Sequence, residues 1–177
     1  MAELHVVGRI RGGVGFTGGR GFWCRYSIHK GEGWDSVQEN LEGQSHIDYP
    51  EGDEVVWSFP LDLHFNLHNL TGWPRLFIKV FTRDAYGTDS LVGYCVYHIP
   101  TKPGFHEVEV ATWKPIGTLS QQWSSFFIGN TPQLSNEEFV FGDSSRYELN
   151  TESSGTVLLD INVVTRNFKQ HGIEVGN

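Results

Sequence analysis

Leu61-Asp62-Leu63-His64-Phe65-Asn66-Leu67-His68 alternates apolar and polar residues at every step, which predicts a strand with one dry face and one wet face. Residues 105–111 alternate the same way, with Val108 and Val110 opposed by Glu107 and Glu109. In 155–166 the residues Val157, Leu159, Ile161 and Val163 share a face. Further strands are predicted at 3–10, 22–30, 54–59, 75–82 and 91–98, with Trp57 in phase with Val55 and Phe59 and so directed inward. Turn signals separate them, among them Thr71-Gly72-Trp73-Pro74 and Pro100-Thr101-Lys102-Pro103-Gly104, and 31–44 is the longest predicted loop. Many short strands at close spacing predict an all-β fold, an antiparallel sandwich or barrel.

One segment departs from period two. Ile116, Leu119, Trp123, Phe126 and Phe127 recur at helical spacing, Thr118 and Gln121 form a capping box, and Gly129 stands where a helix would end. A short amphipathic helix is predicted near 119–128, its aromatic stripe covering an open end or face of the sandwich. Binding a partner is the alternative use of that stripe. Neither repeats nor linkers interrupt the chain, so a single domain is expected over 1–177. A domain of this length buries roughly 70% of its unfolded surface and needs neither disulfide nor metal to be stable.

Charge narrows the function. Twenty-one acidic residues against 13 Lys and Arg give a net charge of −8. That balance opposes nucleic-acid binding, which depends on cations neutralising phosphates, and opposes adhesion to an anionic bilayer. The nearest thing to a basic cluster, Arg166, Lys169 and His171, is too small for firm lipid binding. The N-terminus MAELHVVGRIRGG has no signal-peptide pattern, so an intracellular protein is expected, with the Asn69-Leu70-Thr71 sequon unmodified. Cys24 and Cys95 lie among aromatic residues in predicted strands; buried thiols are expected, and a single bridge is the alternative.

Several motifs look chemical. Gly13-Val14-Gly15-Phe16-Thr17-Gly18 matches a phosphate-loop pattern, but its glycine-rich and then aromatic continuation predicts a strand where a phosphate site needs a helix. His64 and His68 have the spacing of a helical zinc pair, yet on a strand they stand ~13 Å apart at ~3.3 Å per residue, too far to share an ion. His64 and Asp62 share a face at closer range, as is common on a wet surface. No catalytic trio stands out, and the tryptophans are assigned to packing in preference to a sugar platform. Neither an enzyme nor a cofactor nor a metal is predicted.

The run Leu76-Phe77-Ile78-Lys79-Val80 followed by T-R-D-A-Y-G-T-D-S-L-V-G resembles a strand and loop of C2 domains. Counting back from Gly93, the places that resemblance reserves for calcium-binding aspartates hold Thr82, Asp84 and Ser90, with Asp89 out of register. The partner loop, near 13–23, contains no acid. Calcium takes six to eight oxygen ligands, so the loop is expected to be C2-like in shape and metal-free. L-T-G-W-P-R-L at 70–76, D-A-Y-G at 84–87, L-V-G-Y at 91–94, P-G-F-H at 103–106, T-W-K-P-I-G at 112–117, P-Q-L at 132–134 and S-G-T-V-L-L-D-I-N-V-V-T-R-N-F at 154–168 follow one another as in the B9-domain family. The chain thus resembles that family over nearly its full length, and A-E-L-H-V-V-G with D-L-H-F resembles one of its branches more than the other two.

The resemblance implies a C2-like antiparallel β-sandwich serving as a non-enzymatic scaffold subunit of the ciliary transition zone, at the basal body. It implies binding to the other two B9-domain proteins and, indirectly, to tectonic-type membrane proteins, in support of cilium assembly and the membrane diffusion barrier. Gly72, Trp73, Pro74, Gly93 and Tyr94 are the structural family positions, and Arg83, Asp84, Tyr86 and Asp89 are the candidate surface contacts on a projecting hairpin tip. A peripheral calcium- or lipid-binding module is the alternative; calcium-dependent membrane binding is not expected.

Overall fold

A computed structural model describes residues 1–38, 40–115 and 151–173. Among the described residues nine strands run in chain order: β1 (Ala2–Val14), β2 (Gly21–His29), β3 (Trp34–Ser36), β4 (Glu42–Gln44), β5 (Glu54–Leu67), β6 (Arg75–Arg83), β7 (Asp89–His98), β8 (Gly104–Pro115) and β9 (Thr151–Arg166). A 3-10 turn, Lys169–His171, follows β9. The fold is all-β and every described pairing is antiparallel. The helix predicted near 119–128 lies outside the described residues.

The strands form one ladder in the order β3-β5-β1-β9-β8-β7-β6-β2-β4. Among the longer strands the pairing is extensive except between β7 and β8, where the described ladder is the pair Tyr94–Trp113. The sheet folds over at that seam, so that β5-β1-β9 and β7-β6-β2 bury their inner faces against each other. Leu4, Ile10, Phe65, Leu159 and Ile161 from the first half meet Cys24, Ile78, Val80 and Cys95 from the second in one apolar core. The far side is drawn together as well. Trp57 of β5 donates its indole Nε1–H to the Phe22 carbonyl of β2 at 3.0 Å. Asp48 bonds Phe22 through the backbone in both directions (2.8 and 2.9 Å), and its carboxylate accepts the Val56 N–H at 2.8 Å. Both edges of the folded sheet are therefore tied, which makes a sandwich closed at one side by a seam and at the other by a strap.

Alternation placed the core. Val55, Trp57, Leu61, Leu63, Phe65 and Leu67 are all buried on β5, and Val157, Leu159, Ile161 and Val163 on β9. Two predicted strands, 54–59 and 61–68, are one. The strand runs through Pro60, and β3 pairs only with Phe65–Leu67, so a residue without an N–H meets no described ladder on the outer side of β5 there. The predicted loop 31–44 contains β3 and β4, each three residues long and too short to show periodicity. The glycine-rich 13–18 stretch finishes β1 and turns toward β2, with Gly15 and Gly18 at positive φ. Cys24 and Cys95 are buried free thiols, and desolvation pushes Cys24 up to about 12.

Trp57 bridges the two halves with both ring area and a hydrogen bond, and is 2% exposed. Trp57→Ala is expected to lower the unfolding free energy by ~3–5 kcal/mol. Trp57→Phe, which keeps most of the ring and loses the bond, should cost only ~1–2 kcal/mol. Urea denaturation of both variants measures the difference; equal losses would remove the indole bond from the closure.

Candidate functional site

The hairpin between β6 and β7 carries the four candidate contact residues, and its charged side chains bond within the hairpin. Arg83 and Asp89 face each other as the last ladder pair. Their side chains form two parallel hydrogen bonds, Arg83 Nε and an Nη each donating to one Asp89 oxygen at 2.7 Å. These bonds, opposing the desolvation of the partly buried carboxyl, hold Asp89 below its usual range. Asp84 turns inward on its own loop. Its Oδ1 accepts the N–H groups of Tyr86 (2.8 Å) and Thr88 (2.9 Å), and its backbone N–H donates to the Thr88 carbonyl. This is an aspartate organising a turn, with Gly87 at φ 84° completing it. The connection to β2 lies alongside, where Thr82 donates to the Gly21 carbonyl and Arg20 N–H to the Arg83 carbonyl.

The two carboxylates are thus committed, one to a guanidinium and one to backbone N–H groups. A calcium ion would have to displace a cation from the first and compete with two backbone N–H groups for Oδ1 of the second. Residues 84–90 are all exposed, and the large apolar group among them is the Tyr86 ring, 94% exposed.

The family positions lie elsewhere. Gly72 has φ +72°, and a β-carbon there would come within 2.5 Å of the Gly31 α-carbon, so the two turns touch backbone to backbone. Gly31 N–H donates to the Gly72 carbonyl at 2.8 Å. Trp73 stands edge-on to Trp34 with centroids 4.9 Å apart, contacts Phe168 beyond the end of β9, and donates its indole N–H to Ile99. Pro74 is buried. Gly93 lies at the seam, where a β-carbon would meet Ser154 Oγ at 2.2 Å. Tyr94 is fully buried beside it, stacked on Phe77 and tilted against Trp113, and burial raises its hydroxyl pKa. These residues join elements within the molecule, with Pro74, Gly93 and Tyr94 buried and Gly72 and Trp73 partly open to solvent.

A third grouping has no precedent in the sequence reading. His5 of β1 and His64 of β5 are direct cross-strand partners, with rings stacked at 3.7 Å. Glu3, on the same face of β1, places Oε2 3.6 Å from His5 Nε2 and 3.4 Å from His64 Nε2. Desolvation works to raise the Glu3 carboxyl, but the charge of Arg166 and the contacts of the two histidines leave it below its usual range. His68 turns away and bonds Asp35 at 2.7 Å, so the i, i+4 histidines do serve separate neighbours. The strand register that joins His5 to His64, 59 residues on, could not be read from one sequence. Alternation put each residue on its outer face and stopped there.

A model of ciliary basal body-associated B9 proteins, B9-C2, matches residues 4–164. The chain is 41% identical to human B9 domain-containing protein 2 over 175 residues, covering 98% of this chain and 99% of that protein. Mouse B9 domain-containing protein 1 is 32% identical over 158 residues, 87% of this chain and 78% of that protein. Among solved structures, the C2A domain of a plant extended synaptotagmin 1 aligns over 92% of this chain and 93% of its own, with a TM-score of 0.44 and 10% identity.

The Arg83–Asp89 pair gives a pH prediction. A carboxyl held low in the folded state contributes its stability above the unfolded value near ~4 and loses it as pH falls through the folded one. With both side chains about a third exposed, solvent screens the pair and its contribution to stability is small. Arg83→Gln should move the Asp89 carboxyl midpoint up toward the ordinary range in an NMR titration. An unmoved midpoint would show that the guanidinium is not its partner in solution.

Proposed function

The chain belongs to the B9-C2 family of ciliary basal body-associated proteins, and on that footing we propose that it is a non-enzymatic scaffold subunit of the ciliary transition zone. In this reading it binds the other two B9-domain proteins within the tectonic-like (MKS) complex and reaches tectonic-type membrane proteins through them. It thereby supports cilium assembly and the diffusion barrier between ciliary and plasma membranes.

The observation that carries the reading is the state of the β6–β7 tip. Its carboxylates are internally satisfied and an aromatic ring is left projecting. A satisfied, preorganised turn with one exposed tyrosine suits a protein contact, since tyrosine supplies large contact area at little cost in side-chain entropy. It suits neither calcium nor calcium-dependent lipid binding, which would need those same oxygens free. The acidic net charge supports indirect membrane association through partners over direct adhesion.

Co-expression of this chain with the two sibling B9 proteins should yield a complex that survives size exclusion. Tyr86→Ala should weaken that complex at least ~10-fold, the scale of a buried aromatic anchor, while leaving the thermal midpoint of the isolated chain unchanged. A tagged copy should concentrate at the ciliary base. Chains that remain separate, or pelleting with anionic liposomes that requires calcium and is lost in Asp84→Asn, would overturn the proposal in favour of a lipid-binding module.

A further inference from the structure

We propose that Glu3, His5 and His64 form a binding site for a divalent transition metal of the zinc class on the outer face of the β1–β5 pair. Zinc is held by histidine nitrogen and carboxylate oxygen, commonly in tetrahedral array, and a set of three protein ligands leaves the fourth position open. Ligand atoms placed at ~2.0–2.2 Å around a tetrahedral zinc lie roughly 3.4 Å from one another. Glu3 Oε2 stands 3.4 Å from His64 Nε2 and 3.6 Å from His5 Nε2, and one donor from each of the three residues lies within 4.8 Å of the others. Two edges of the polyhedron therefore have the right length already. The third needs the stacked imidazoles, now inclined by 22°, to open by rotation about their terminal side-chain torsions.

A second observation points to a ligand. His64 Nε2 is shielded from solvent yet has no hydrogen-bond partner among the described residues, although a carboxylate oxygen lies 3.4 Å away. A buried polar atom without a hydrogen bond is uncommon in folded proteins and calls for an explanation such as an ion. A cation seated between that nitrogen, His5 and Glu3 would satisfy it.

Arg166 is the competing charge, with Nη1 3.7 Å from Glu3 Oε2. Its side chain is 69% exposed, so it can turn into solvent when a metal arrives. The backbone framework is rigid, because β1 is paired along its length with β5 on one side and β9 on the other. Nitrogen donors make calcium and magnesium poor occupants. Zinc is the commoner choice, and copper would bind more tightly at the same ligands.

The test uses full-length protein carrying no polyhistidine tag, stripped with a chelator and titrated with zinc chloride in a calorimeter. Cobalt(II) serves as the spectroscopic probe. One equivalent of zinc should bind, and cobalt should give the intense visible bands of a four-coordinate ion. His5→Gln and Glu3→Gln should each weaken zinc by more than the ~10–100-fold that loss of a mere outer-shell partner costs. His64→Gln should do the same where it folds, while His68→Gln, outside the cluster, should leave binding intact. Absence of zinc binding overturns the site, as does equal binding by wild type, His5→Gln and Glu3→Gln, which would mean scattered surface histidines only.

Discussion

Everything in this molecule depends on the sheet folding over between β7 and β8. A nine-stranded ladder with one apolar face has no second layer to bury it unless it supplies its own, and here the two halves do that for each other. The fold-over is possible because the described ladder narrows at that point to Tyr94 opposite Trp113. Gly93 lets β7 approach Ser154 and Thr112 more closely than any side chain would permit. Tyr94, with Phe77, Trp113, Leu91 and Val96, then builds a second apolar cluster on the other face of the same strands. The family positions Gly93 and Tyr94 are thus the bend of the sheet, and Gly72, Trp73 and Pro74 pin its far end to the 31–34 turn and to Phe168.

That division of labour explains what could be read in advance. Alternation is a local property, so β1, β2 and β5 to β9 were legible as strands from the sequence, with Trp57 and the inward row of β9. Proline is local too, but its effect depends on whether a neighbour wants the missing N–H, and at Pro60 the two predicted strands join as β5. The edge strands β3 and β4 are defined by pairing alone. Three residues such as Trp34-Asp35-Ser36 have no pattern until Leu67, Asn66 and Phe65 lie opposite them.

The same contrast separates the two polar groupings. At the β6–β7 tip, Arg83, Asp84 and Asp89 lie within seven residues of one another, and counting along the chain was enough to doubt a calcium site. The structure adds where the two carboxylates go instead. The Glu3–His5–His64 grouping is assembled by cross-strand register, which depends on the whole first half of the sandwich being in place. Searching the chain for histidines four apart led to His64 with His68, and those two belong to different neighbourhoods.

The edges also constrain how such a domain can recognise partners. The ladder ends in β3 and β4, three residues each, and short edge strands resist pairing with another chain. Part of the outer side of β5 beyond β3 is occupied by the Asp48 carboxylate on Val56 N–H, and the Val37 N–H takes the His64 carbonyl. Adding a strand from a sibling would mean displacing these bonds before making new ones. Recognition is therefore better served by parts that project without open backbone groups. The Tyr86 tip is one. The outer sheet face, where Val7, Phe105 and Val164 are exposed between the Arg9–Asp160 pair and the Glu3 cluster, is the other. Short, occupied edges have a further consequence, because identical open edges would pair with copies of themselves.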